Sequence, residues 1–372
     1  METIIAEERG PRPVLVNVFL RGGADGLHLV PPVGDDAYYR ARPGLAVKRG
    51  DALRLTDYFG LHPDLGPMHG IYEAGELAVA HQCGTADETR SHFSAEDYVN
   101  HGGLEGGGWI GRFLHRTRDP EDGPLTAVSI GSGVSDALRG VAAVAMRSLE
   151  EFTIPDRDPA LRGHLGAMYA RAGGVLGAAG ASTLRALERI ESVRKGGGVS
   201  GGVVEAGYGD DGFSGGLKLL ARLIRARAGL RAATIELGGW DSHFAQATLT
   251  AGLMPMLARG LAAFRKDLGG LMGEVHVVVT TEFGRRVAEN VSAGTDHGRA
   301  GVCFAMGGGV RGGRVLSDWP KGGIGADILE GPGDLPVRLP LHHGLMAVLK
   351  RIRPEVSGEA VFPGLEVGEF DW

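Results

Sequence analysis

Short apolar runs rich in β-branched residues recur along this chain, and segments of helical periodicity separate them. The runs are typical of buried strands, and in each case polar, reactive residues cluster after the run. The runs and their polar ends occupy residues 13–20, 76–84, 232–243, 275–285 and 301–309. Because polar residues at successive strand ends can meet at one edge of a sheet, these clusters are the first place to look for chemistry.

Helical spacing of apolar residues predicts helices at 62–75, 158–195 (one helix or two), 213–229 and 248–272. Ser214 is the candidate N-cap of the third segment, and Pro255 predicts a kink in the fourth. Strands that alternate with helices indicate an α/β fold with a mainly parallel sheet. The glycine-rich stretch 195–216 interrupts this pattern, and we expect a mobile loop there.

Composition narrows the class of protein. The chain has 372 residues, of which 43% are hydrophobic, enough for a large core. Its formal net charge of −6 gives no reason to expect a nucleic acid as partner. Cys83 and Cys303 are far apart in apolar segments, which favours buried free thiols over a disulfide. The acidic start and the lack of a long apolar run predict a soluble, cytoplasmic protein with no membrane partner.

Two of the polar clusters lie in the first quarter of the chain. Asp25 lies between glycines in "RGGADGLH", where a backbone-capping turn is the simpler interpretation. Arg90 and Ser91 precede a predicted helix in "TRSHFSAEDY". Ser91 there is either an ordinary N-cap or a nucleophile beside a cation and exposed N–H groups that can bind an anion.

Three further clusters follow the later strands. Asp241 and His243 stand two apart in "GGWDSH", so an extended backbone would place both side chains on one face. Glu282 ends a buried run in "TTEFGRR", where it needs a partner, and Arg285 could form an ion pair with it. Asp296 and His297 are adjacent in "GTDHG". Each of these also has an interpretation as a polar surface turn.

Taken together, the strand-end side chains form one set of carboxylates and imidazoles without a thiolate. Such a set suits a divalent ion of the Zn, Mn or Mg/Ca type and a hydrolytic centre with one or two ions. The predicted ligands are Asp25, Asp241, His243, Glu282, Asp296 and His297.

The motifs "FLRGGADGLHLVPP", "RSHFSAEDY", "GGWDSH", "TEFGRR" and "GTDHG", in this order, resemble those of the bacterial domain-of-unknown-function 1501 family. That family is grouped with the alkaline phosphatase and sulfatase superfamily. The resemblance covers about residues 12–350 and implies one domain over 12–372, a three-layer α/β/α fold around a large, mostly parallel sheet, and one or two metal ions beyond the strand ends.

By position, the resemblance makes Asp25 a metal carboxylate, Ser91 the nucleophile, and Asp241 and His243 a metal-binding pair. Glu282 and His297 match later metal positions of the superfamily. Arg90 and Arg285 would clamp the oxygens of a small anionic ester. Here Asp241 and His243 are two apart, whereas the superfamily pair is usually four apart. The sulfatase Cys-x-Pro-x-Arg motif is absent, and so is the twin-arginine signal that many relatives carry.

The expected function is hydrolysis of phosphate or sulfate esters by a metal-dependent enzyme with a serine nucleophile. The alternative is a non-catalytic binding or assembly protein that keeps the scaffold with a degraded metal site. The sequence leaves the oligomeric state and the number of ions open.

Overall fold

The computed structural model describes residues 12–154, 160–195, 206–325, 327–368 and 370–372. The strands in these ranges are β1 (Val14–Arg21), β2 (Leu53–Arg54), β3 (Gly60–Leu61), β4 (Leu77–Gly84), β5 (Ala127–Ile130), β6 (Val144–Met146), β7 (Ala232–Gly238), β8 (Val275–Thr280), β9 (Gly301–Gly307), β10 (Arg314–Leu316) and β11 (Leu339–Pro340).

The α-helices of the same ranges are α1 (Gly26–Leu29), α2 (Asp36–Ala41), α3 (Gly66–Glu73), α4 (His92–His101), α5 (Trp109–Arg116), α6 (Leu161–Ala172), α7 (Gly174–Arg194), α8 (Gly212–Arg225), α9 (Gln246–Thr250), α10 (Leu253–Leu268), α11 (Leu341–Ile352) and α12 (Gly358–Val361). Short 3-10 helices cover Pro63–Leu65, Asp136–Leu138 and Gly269–Glu274.

A large mixed sheet forms the centre of the protein. Its strand order is β10-β4-β9-β8-β1-β7-β5-β6, and β11 also pairs with β4. All of these neighbours are parallel except the two pairs that include β9. The predicted α/β class and mostly parallel sheet are confirmed.

Side chains alternate along β1 between the two faces of the sheet. Val14, Val16 and Val18 join an apolar core that includes α3, α8 and α10. Leu15 and Phe19 join a second core that includes α5 and α11. Helices therefore cover both faces, which gives the three-layer α/β/α arrangement.

The direction of β9 differs from the sequence prediction. This strand runs antiparallel to β4 and to β8. Its amino end therefore lies at the edge of the sheet where β1, β7 and β8 have their carboxyl ends. The polar cluster of this strand precedes β9 and does not follow it. The expectation that polar residues follow all five strands is therefore wrong for β9. This reversal brings "GTDHG" to the same edge as the other clusters.

Helix boundaries correct three further predictions. Asp211, not Ser214, is the N-cap of α8, and its carboxylate accepts the Ser214 N–H at 2.8 Å. Gly212–Gly216 belong to that helix, while 196–205, the centre of the predicted loop, lie outside the described residues. Pro255 lies in the first turn of α10, where a missing N–H costs little, and the chain bends before it, between α9 and α10.

The stretch Gln246–Glu274, which contains α9 and α10, is long and apolar enough to cross a membrane by length and composition alone. This corrects the expectation that no run has the necessary length. In the fold, Leu257, Leu261 and Phe264 of α10 are buried in the core beneath the sheet. The stretch thus has the packing of a core helix.

Candidate metal centre

Loops from several strands converge closely at the edge that carries the polar clusters. Gly22, directly after β1, has φ +118°, and a Cβ there would lie 2.4 Å from the backbone nitrogen of Asp241. A Cβ at Gly294 would lie 2.3 Å from the carbonyl carbon of His243. Only glycine permits approaches this close, so the glycines of "RGGADG" and "GTDHG" allow the loops to meet.

The loop after β8 and the loop before β9 form one structural unit. Arg285 and His297 pair in an isolated antiparallel bridge. The Arg286 N–H donates to the Asp296 carbonyl at 3.0 Å, and the Gly298 N–H donates to the Gly284 carbonyl at 2.9 Å. The motifs "TEFGRR" and "GTDHG" are therefore two halves of the same site.

Three histidines surround the carboxylate of Asp241. Nε2 of His297 lies 3.2 Å and Nε2 of His243 lies 3.3 Å from Oδ1 of Asp241. The same two nitrogens are 2.9 Å from each other. Nε2 of His92 lies 3.5 Å from the second oxygen, Oδ2. The structure thus brings three predicted ligands together and adds His92.

The other ring nitrogen of each histidine faces an oxygen. Nδ1 of His297 lies 2.8 Å from the carbonyl oxygen of Arg90. Nδ1 of His92 lies 2.7 Å from Oε1 of Glu282, and Nδ1 of His243 lies 3.5 Å from Oδ1 of Asp296. Carbonyl and carboxylate oxygens only accept, so the neutral tautomer with its hydrogen on Nδ1 satisfies them and leaves the Nε2 lone pair for an ion. This is the usual arrangement of histidines that bind metal ions.

This geometry fits a divalent cation. Lone pairs of His243 and His297 that face each other and a carboxylate repel unless a positive charge lies among them. Ligand atoms around a tetrahedral zinc ion, with bonds of roughly 2.0–2.1 Å, are about 3.3 Å apart, close to the spacings found here. Nε2 of His92 is buried without a hydrogen-bond partner, as expected of a ligand atom. His92, Asp241 and His297 also form a group in which the ligand atoms all lie within 4.8 Å of one another.

Electrostatics favour the charge states that such ligands need. Burial raises the pKa of Asp241, but the hydrogen bond and charge of Arg285, with the adjoining imidazoles, outweigh it and lower that pKa to about 2. Burial lowers the pKa of His297, which favours its neutral, metal-binding form.

Glu282 contacts the ligand candidate His92 and is not in the group of His92, Asp241 and His297. Its carboxylate is buried and accepts the Gly22 N–H at 2.7 Å, beside the bond to His92. The Thr281 hydroxyl lies 3.1 Å from its other oxygen. The alternative interpretation of Glu282, an ion pair with Arg285, is wrong, because Arg285 binds Asp241 instead.

Asp296 also acts through a histidine. Asn290 donates to its Oδ1 and Arg286 to its Oδ2, each at 3.2 Å, and Oδ1 faces Nδ1 of His243. The hydrogen bond from Asn290, then the charge of Arg286, lowers the pKa of Asp296 and keeps it ionised. The sequence predicted Asp296 as a ligand, whereas its geometry matches that of a partner that orients an imidazole.

Asp25 is not among the residues that converge. Arg42, itself fully buried, bonds to both Asp25 oxygens, at 2.5 and 3.1 Å. Gln246 donates to Oδ2 at 2.6 Å, and the Leu27 N–H donates to Oδ1 as the cap of α1. With four donors on two oxygens, Asp25 forms an internal ion pair where the sequence predicted a ligand.

The two predicted clamping arginines are also engaged. Arg285 is buried and donates to the carbonyls of Gly22, Gly23, Trp240 and Thr295 and to Asp241. The Arg90 guanidinium pairs with the buried Asp334. Arg285 is buried and has no exposed side for a ligand, whereas Arg90 is partly exposed and binds Asp334 through Nε and Nη2.

Ser91 lies where the sequence placed it, at the N-cap of α4. Its side chain makes no capping hydrogen bond to that helix. The residue is half-buried and directly precedes the ligand candidate His92.

His92 and Glu96 are the site residues that sequence reasoning did not single out. They are four apart on α4 and therefore share one helix face. Together with Glu282 they form a second group of side chains with metal-ligand spacing. Burial raises the pKa of Glu96, and its pairing with Arg21 opposes this. The sequence did contain a signal for these two residues, the His-x-x-x-Glu spacing at the start of a predicted helix.

Fold and site together define the class: an α/β protein with a cluster of imidazoles and carboxylates at the carboxyl edge of its sheet. The family model described as a protein of unknown function, DUF1501, matches residues 78–330. The chain belongs to this family, as its motifs predict. Among curated proteins, none matches the sequence.

Solved structures resemble the chain as well, among them these two. A protein in the alkaline phosphatase superfamily from Vibrio parahaemolyticus is 10% identical with a TM-score of 0.37, and the match covers 84% of this chain and 64% of that one. The lipoteichoic acid synthase LtaP from Listeria monocytogenes is 13% identical with a TM-score of 0.38, and the match covers 82% and 69%. The chain thus spans less than two thirds of the Vibrio protein.

Proposed function

We propose that this protein is a metal-dependent hydrolase of phosphate or sulfate esters. The observation that carries the proposal is the convergence of three imidazole Nε2 atoms on the Asp241 carboxylate. His92, His243, His297 and Asp241 would hold the ion, and this ligand set suits zinc best. When bound, such an ion polarises an ester oxygen and neutralises charge that develops during displacement.

Ser91 is the proposed nucleophile. Its hydroxyl is not used as a helix cap, and it adjoins the ligand His92. The first N–H groups of α4 have no acceptor within the helix and favour an anion there. In the proposed reaction the Ser91 oxygen loses its proton and bonds to phosphorus or sulfur, while the ester oxygen breaks its bond to that atom, takes up a proton in exchange and leaves as an alcohol. Water then cleaves the Ser91 ester, which releases the phosphate or sulfate and returns a proton to the Ser91 oxygen.

In this proposal the amino end of α4 binds the anionic oxygens of the ester, a role that the sequence analysis gave to Arg90 and Arg285. Arg90 and Arg285 hold Asp334 and Asp241, so the anionic oxygens would be bound by backbone N–H groups. Arg90 contributes through its backbone, because its carbonyl fixes the ring of His297.

The test combines metal content with activity. Purified protein is expected to contain close to one zinc equivalent, or to take it up, and to hydrolyse an aryl phosphate or an aryl sulfate. His297→Ala should lose the metal, whereas Ser91→Ala should keep the metal and lose the activity. His115→Ala, on an exposed histidine outside the cluster, is the control for both measurements.

Two results would contradict the proposal. An active Ser91→Ala protein would remove the nucleophile. Protein that neither binds metal nor changes its thermal midpoint on addition of zinc would instead favour the non-catalytic binding or assembly protein.

A further inference from the structure

Large apolar side chains are exposed beside the metal cluster. Phe93 directly follows the ligand candidate His92 and is 85% exposed, and Phe244 directly follows His243 and is 60% exposed. Val291 is fully exposed as well. Single exposed apolar residues are common on protein surfaces, but here two phenylalanines adjoin two ligands of one site.

Both phenylalanines adjoin, along the chain, a histidine whose Nε2 approaches the Asp241 carboxylate. The Ala245 N–H donates to the Ser292 carbonyl at 2.9 Å, which ties the segment of Phe244 to that of Val291. We call Phe93, Phe244 and Val291 the apolar rim.

The apolar rim differs from the cluster that it borders. The cluster offers imidazoles, carboxylates and the amino end of a helix, all suited to a cation and an anionic group. The rim offers two aromatic rings and no charge. A ligand that satisfies both has an anionic head and an apolar group attached close to it.

Resting on the proposed function, we infer that the substrates are amphiphilic esters, in which an aryl or alkyl group adjoins the phosphate or sulfate. The anionic head binds at the metal cluster, and the apolar group covers Phe93 and Phe244. The two phenylalanines are therefore the specificity-determining residues of the site. Contact with them removes apolar surface from water, which adds affinity in proportion to the area covered.

The test uses phosphonates, which carry the anionic head but cannot be hydrolysed. Binding of phenylphosphonate and methylphosphonate to the zinc-loaded protein is measured by calorimetry. Phenylphosphonate should bind about tenfold more tightly, which corresponds to burial of roughly half of a ring. In Phe93→Ala/Phe244→Ala the ratio should fall towards one, with unchanged affinity for methylphosphonate and unchanged zinc content. Leu104→Ala, which removes another exposed apolar side chain, should keep the tenfold ratio.

The outcomes separate this inference from the proposed function. Equal affinities of the wild type for both probes, or a ratio that survives the double substitution, overturn the inference alone. Failure of both probes to bind zinc-loaded protein overturns the proposed function and the inference with it. A wild type that dimerises while the double variant is monomeric would show that a second copy covers the apolar rim, which also overturns the inference.

Discussion

Nε2 of His243 and Nε2 of His297 lie 2.9 Å apart. The other ring nitrogens face acceptors on the opposite side, the Asp296 carboxylate at 3.5 Å and the Arg90 carbonyl at 2.8 Å, which favours the tautomers that leave both Nε2 lone pairs unprotonated. Two such nitrogens attract each other only through a cation or an added proton between them. This pair is therefore the most direct sign of what the site binds.

Metal affinity should follow a graded order among variants of the cluster. His92→Ala and His297→Ala remove a ligand, and we expect them to abolish tight zinc binding. Glu282→Gln keeps every ligand but loses the charge that orients His92, so affinity should fall by about 10–100-fold. Competition with a chromophoric chelator measures all three. A Glu282→Gln protein as defective as His92→Ala would make Glu282 a ligand itself.

Asp25→Ala tests the role of the buried ion pair. The change leaves Arg42 buried without its counter-charge, so the free energy of unfolding should fall by about 3–5 kcal/mol. Zinc stoichiometry at low temperature should stay the same, because Asp25 is outside the group of His92, Asp241 and His297. Urea denaturation and metal analysis on the same sample measure both. Loss of zinc from a folded Asp25→Ala protein would show that Asp25 is a ligand after all.

Arg285→Lys should destabilise the protein although the charge is kept. Lysine has three donors on one nitrogen and cannot reach the four carbonyls and one carboxylate that Arg285 serves. We expect a loss of about 2–4 kcal/mol in urea denaturation, since several buried acceptors lose their donors. The neighbouring Arg286→Lys, on a partly exposed side chain, should change stability by less than about 1 kcal/mol. Equal effects at both positions would contradict this account of Arg285.

Stability should fall as the pH drops from about 6.5 to about 4. His276 is buried at the start of β8, and burial, with a smaller effect from Arg351, lowers its pKa to about 4. In the unfolded chain a histidine takes up its proton near pH 6.5. Protons then favour the unfolded state between these two values, by up to about 3 kcal/mol.

His276→Leu should flatten this pH dependence. The comparison is the free energy of unfolding at pH 7 and pH 5 for both proteins. His115→Ala, with an exposed ring, should leave the slope unchanged. A slope that His276→Leu does not alter would assign the acid sensitivity to other groups.

The sequence was informative where apolar runs met polar residues. Asp241, His243 and His297 were found because each follows or precedes a buried strand, and they do lie together. The direction of β9 was not readable, since an apolar run has the same pattern in either orientation. The place of "GTDHG" before its strand made sense only once β9 proved antiparallel.

The sequence pattern could not predict which residues from distant parts of the chain contact each other. His92 looks like an ordinary polar residue at a helix start, and its partner Glu282 is on another loop. Asp25 and Arg285 have the residue types of a metal ligand and an anion clamp. In the structure Arg42 binds Asp25, and Arg285 donates to four carbonyls. These contacts depend on tertiary packing, which the local spacing of residues does not encode.

The reversal of β9 also bears on how the site would respond to loss of its ion. It brings the segment ahead of β9 against the start of α4 and the loop after β7, regions far apart in sequence. Both cysteines are free thiols, so a shared ion would be the reversible cross-link between these regions. Chelation is then expected to release the loops first and leave the sheet intact, which would show as faster amide exchange at 91–96 and 294–298 than in the strands.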